Sequence, residues 1–208
     1  MGKIKIHLVA QLNLKRHKHI KKVKKMILPE DFREKWDVNK DGPLITFPEK
    51  ELINKNFSAE VKRFLSIGGL PETPPPYLEF TSSQSFVRSI INVFHMPEEF
   101  RKYWYLGTTS SGDPICIIEK QEKIVFLNNS DAYKEVFMNS SIQQFAACLL
   151  VYSKMIDKAV EINGEDAFID NNIPECTISW LREELKKIDD KCMEKGSFWC
   201  MEIESLYE

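Results

Sequence analysis

An α+β fold in a single domain is what this 208-residue sequence predicts. Two patterns carry that expectation. Short aromatic and β-branched runs at 103–106, 115–118 and 124–127 are separated by TTSSGDP and EKQEK, a spacing that predicts a three-strand antiparallel meander. Beyond them Ile142, Phe145, Leu149, Tyr152 and Ile156 step by three and four, giving one apolar stripe on a helix that lies against the sheet. With 43 % hydrophobic and 11 % aromatic residues the chain can bury a core of that size.

Residues 1–27 read as a basic tail and 28–208 as the domain proper. The first 25 residues hold nine Lys or Arg and no Asp or Glu, so they are expected to be a disordered tail, an over-extended start ahead of Met26, or an arm that grips phosphate. His17 and His19 have no third ligand nearby, and no metal site is expected there. Pro29, Glu30 and Asp31 suit a first helical turn, after which Phe32 and Trp36 share a face. PLITF at 43–47 is expected as an edge strand. Ser58 is placed to cap a helix through Ile67 that buries Val61, Phe64 and Leu65 and ends at Gly68-Gly69. TPPPY at 73–77 is expected as an exposed polyproline connector. After Val136-Phe137-Met138, Asn139 or one of the following serines caps the long helix, and Ser141 with Gln144 has capping-box spacing. A last helix over 177–188 buries Ile178, Leu181, Leu185 and Ile188, with Glu183 and Lys187 paired on its wet face.

Chemistry is hard to place anywhere on the chain. His95 is the one histidine outside the tail and has no serine or cysteine elbow beside it, which predicts an exposed or capping role. TSSGD at 109–113 resembles a phosphate loop, yet neither GxxxxGK[ST] nor GxGxxG occurs. The five cysteines form no CxxC pair and read as reduced, mostly buried core residues. The expectation is a protein that is not an enzyme, with no cofactor, no metal and no small-molecule substrate. No apolar run approaches the roughly 20 residues that cross a bilayer, and no secretory pattern opens the chain, so no membrane partner and a cytoplasmic location are expected.

Charge is unevenly spread. Without the first 25 residues the chain has 29 − 9 = 20 basic against 31 acidic groups, a formal −11, and residues 157–208 alone carry 14 acidic and 6 basic groups. Such a field repels nucleic acid, leaving only the tail as a contact for it, and attracts a basic protein. EINGEDAFIDNN at 161–172 lacks the order of a calcium loop and reads as a solvated acidic loop or a partner-binding patch. The residues expected to touch a partner are Glu161, Glu165, Asp166 and Asp170, with Glu183 and Glu184 as outliers.

The order of FLSIGGLPE, YWYLGTTSSGDPICII, KIVFLNN, VFMNSSIQQFAACLLVY and SFWCMEIE resembles the SUKH superfamily, and more narrowly the fourth group of SUKH immunity proteins, over about residues 28–206. The resemblance implies a mixed, largely antiparallel sheet flanked by helices. It implies the neutralisation of a cognate bacterial toxin of a polymorphic or contact-dependent system by stoichiometric binding, nucleases being one such class of toxin. A regulatory protein-interaction scaffold of the same superfamily is the alternative. Gly68, Gly69, Leu70, Pro71, Gly107, Asn139, Ser140 and Trp199 match family positions with architectural roles. The family places a glycine in the turn before the third meander strand, where this chain has Gln121-Glu122-Lys123.

Overall fold

The computed structural model describes residues 26–80 and 88–207. The basic tail through residue 25, with His17 and His19, lies outside the described residues. Among the described residues, seven α-helices and two antiparallel sheets make up an α+β domain.

The N-terminal third is a set of short elements. Helix α1 spans Pro29–Lys35 and buries Phe32, whose ring lies 5.6 Å from that of Phe64. Strand β1, Leu44–Ile45, pairs with β2, Leu70–Pro71, in a two-stranded ribbon apart from the main sheet, which is where the PLITF segment goes. Helix α2 is Glu49–Leu52 and α3 is Ala59–Arg63, the latter running on as a π-helical turn over Phe64–Gly68. Ser58 caps α3 by accepting the Val61 N–H at 3.2 Å. Gly69 closes the turn at φ +73, and a Cβ there would meet the Ile45 carbonyl oxygen at 2.4 Å, so the ribbon needs glycine at that point.

The meander forms as the spacing predicts and is extended on both sides. Strands β3 (Arg88–Ser89), β4 (Tyr103–Thr108), β5 (Pro114–Ile118), β6 (Ile124–Asn128) and β7 (Lys134–Asn139) are hydrogen-bonded in chain order. The 134–139 strand was read only as an approach to a helix. Its apolar run is short, and it earns strand geometry through its pairing with β6. TSSGD is the β4–β5 turn: the Thr109 N–H donates to the Asp113 carbonyl at 2.9 Å, and the Asp113 carboxylate accepts the Asn129 N–H at 2.8 Å. Every residue of β5 is buried because both sheet faces are covered. Ile115 and Ile117 face the main core, while Cys116 and Ile118 join a smaller cluster beneath helix α4, Ile90–Phe94, on the other side. His95 ends α4 in the left-handed region, exposed, as a capping residue.

Helix α5, Ile142–Asn163, lies over the main core with Phe145, Leu149 and Tyr152 buried. Ser141 is its cap, accepting the Gln144 N–H at 3.2 Å. Asn139 and Ser140 do other work. The Asn139 side chain accepts the Trp199 indole N–H at 2.8 Å, and both residues hydrogen-bond the carboxylate of buried Asp189. Helix α6 is Glu175–Ile188, and a further helix, α7, Phe198–Ser205, follows what was expected to be the last one. The 198–205 segment, about two turns long, is too short to show a stripe, and Trp199 anchors it, fully buried between Phe145, Tyr152 and Phe198.

The 73–77 connector departs from the polyproline expectation. Pro74 and Pro76 are buried, and the Leu78 N–H closes a turn onto the Pro74 carbonyl at 3.0 Å. That turn is held to the sheet by paired hydrogen bonds of 2.9 Å between Glu79 and Thr108. The approach requires Gly107, where a Cβ would lie 2.2 Å from the Glu79 carbonyl oxygen. Tyr77 is thereby left at φ +54, pointing outward.

Candidate partner-binding surface

The long helix determines where the acidic segment sits. α5 is about 33 Å long at 1.5 Å per residue, so its C-terminal end lies far from the Ser141 cap. Glu161 is exposed on its last turn. Gly164 ends the helix at φ +95, its N–H donating to the Val160 carbonyl at 2.9 Å. The chain then turns tightly: Asp170 N–H donates to the Asp166 carbonyl at 2.8 Å, and the Asn163 side-chain amide donates to the Asn172 carbonyl at 2.7 Å. These bonds close a compact loop that carries Glu165, Asp166 and Asp170, all exposed, directly after the helical turn that carries Glu161.

Glu183 and Glu184 fall elsewhere. They lie on α6, two turns or more beyond its start, and so apart from the loop. The expected Glu183–Lys187 pair is not the one formed: Lys187 pairs with Glu184 at 2.7 Å, three residues back, and Glu183 stays exposed. A carboxylate already holding a lysine has less to offer a partner, which makes Glu184 the weakest of the six.

Sequence reasoning missed the apolar half of this surface. Ile169, 79 % exposed, and Tyr77, 68 % exposed, are the two most exposed large hydrophobic residues among those described. Tyr77 packs on Phe168, the chain neighbour of Ile169: the Phe168 ring is 6.1 Å from Tyr77 and 6.4 Å from Tyr152, and Tyr152 in turn is 5.9 Å from Trp199. A ladder of rings therefore runs from the surface into the core. The signal for this patch is the Phe168-Ile169 pair inside an acidic run. No sequence signal places Tyr77 beside Phe168, since the two meet only through the turn that Gly107 admits.

Beside Tyr77 an open groove of about 710 Å³ lies between the 40–42 and 73–79 turns, with Ile156 of α5 in its lining. Its far wall is fixed by the Lys40–Asp157 ion pair at 2.5 Å and by the Ser153 hydroxyl, which donates to Asp41 at 3.0 Å. Burial pushes the Tyr152 hydroxyl up, with the nearby charges of Glu202 and Tyr77 adding to the effect, and burial lifts the Glu202 carboxyl to about 7. Four of the five cysteines are buried, and burial raises the Cys116 and Cys148 thiols, which opposes formation of the reactive thiolate. Among the described residues no group of three or more His, Cys, Asp or Glu is placed to hold a metal ion, and no helix is long and apolar enough to cross a membrane.

A family model, that of the SUKH-4 immunity protein, matches residues 35–204. The chain belongs to the SUKH-4 immunity protein family. Membership gives it a general role in immunity to a toxin and implies a protein toxin as its partner. The matched span runs from the end of α1 through α7. It therefore includes the ribbon, the sheet, the long helix and the acidic loop. No curated protein and no solved structure matches the chain.

Proposed function

We propose that this SUKH-4 protein neutralises one cognate bacterial toxin by binding it in a 1:1 complex and occluding its working face, without turning anything over. The toxin is a basic protein, nucleases being the class whose cationic clefts suit such an inhibitor best. The observation that carries this reading is the 161–176 segment: it holds Glu161, Glu165, Asp166, Asp170 and Glu175, contains no Lys, Arg or His, and forms no ion pair among the described residues. A carboxylate left unpaired on a stapled loop is free to meet Arg or Lys of a partner in charge-assisted hydrogen bonds. Electrostatic attraction of this kind acts first on the encounter rate and on partner choice.

The test is co-expression. Cells producing the toxin encoded beside this gene survive when the chain is supplied, and the two proteins co-elute as one species with equimolar content. Continued killing together with independent elution would discard the reading.

A further inference from the structure

We propose that the face formed by Tyr77, Phe168 and Ile169, at the edge of the groove between the 40–42 and 73–79 turns, is the docking centre for a cationic protein surface whose own apolar middle covers these three side chains. The inference rests on the toxin-binding reading and names the part of the chain that does the binding.

Three independent features coincide here. Of the two most exposed large hydrophobic residues among those described, Tyr77 packs on the Phe168 ring and Ile169 follows Phe168 in the chain. Tyr77 occupies the left-handed region at φ +54, a conformation that bulky residues avoid and that persists only where the surroundings enforce it. The enforcement is visible in the Glu79–Thr108 bonds and in the closeness of Gly107 to Glu79. An outward aromatic on a rigid turn loses little freedom on binding, which is the property of an interface anchor. The groove of about 710 Å³ gives a partner side chain somewhere to enter beside that anchor.

Charge complementarity selects the occupant. Five carboxylates and no cation lie between residues 161 and 176, so an apolar centre here is bordered by negative charge. A second copy of the chain would bring the same five carboxylates against their equals. A nucleic acid or an anionic membrane would be repelled in the same way. A protein that surrounds an apolar spot with Lys and Arg meets neither penalty.

The experiment uses the full-length chain and the toxin domain encoded beside its gene, with affinity read by calorimetry. Tyr77→Ala and Ile169→Ala each weaken binding by about 10-fold or more, and the charge reversal Glu165→Lys/Asp166→Lys does so by about 100-fold. The reversal Glu49→Lys/Glu51→Lys on α2 changes it by less than about threefold. Ile169 and the two loop acids are exposed enough that these variants keep the wild-type near-ultraviolet dichroism, so a loss cannot be assigned to unfolding. A 1:1 complex that ignores all three loop and turn variants overturns the docking face and leaves the toxin-binding reading intact. No complex with the wild-type chain overturns both. Two further outcomes reassign the face and overturn the proposal: a dimer of the chain that Ile169→Asp dissolves, or hydrogen-exchange protection of residues 161–172 that disappears when residues 1–25 are deleted.

Discussion

Glu202 shows how burial of one side chain becomes a property of the whole protein. Its carboxyl is lifted from the ordinary 4.5 to about 7 by desolvation, beside buried Tyr152. The folded chain thus holds this proton more tightly than the unfolded chain does. The resulting stabilisation is complete below about pH 4.5, where both states are protonated, and is lost as pH rises through about 7. Chemical denaturation as a function of pH is expected to show stability falling across that window by at most about 3 kcal/mol, and Glu202→Gln is expected to remove the slope. A slope of equal size in the variant would assign the pH dependence to other groups. Nothing in the local sequence MEIES announces this, because the shift comes from what packs over the residue. Asn139 and Trp199 are a parallel case. Sequence marked both as architectural positions, while the bond between them, across 60 residues of chain, became visible only once α7 had docked on β7.

At the scale of elements, helix caps are legible in the sequence and strand partners less so. Ser58 and Ser141 cap the helices assigned to them, because an N-cap depends on residues within one turn of itself. What Ser58 also does is tertiary. Its N–H and its hydroxyl both donate to the Glu122 carboxylate, the hydroxyl at 2.8 Å, and so tie the start of α3 to the β5–β6 turn. Glu122 stands in the turn where the family pattern has glycine, and it takes the glycine-like φ of +56. At that φ its side chain reaches Ser58. Ser58→Ala and Glu122→Ala are each expected to cost about 1–2 kcal/mol in thermal or chemical unfolding, and the double variant less than their sum, because both remove the hydroxyl–carboxylate bond. Additive losses would show that the two residues act separately. Strand β7 and the 73–77 turn were misjudged for one reason: each is stabilised by a distant segment, β6 in the first case and Thr108 in the second.

For the whole molecule the decisive quantity is the field. Net charge is −2 for the full chain and −11 without residues 1–25. Deleting those residues is therefore expected to raise the association rate with a cationic partner severalfold at low salt, with the difference shrinking as salt screens charges beyond about 10 Å. Stopped-flow rates that are equal for both forms at every salt concentration would exclude long-range steering by this imbalance. Composition, charge distribution, the helical stripes, the caps and the meander follow from the sequence alone, since each depends on neighbours within a few residues or on simple sums. The same holds for the acidic loop. Its apolar partner does not: Tyr77 and Phe168 stand 91 positions apart, and their rings come within 6.1 Å only because Gly107 lets a turn close on the sheet. Proximity of that kind is set by how layers pack, and packing is decided by all the contacts at once, which no local pattern of residues encodes.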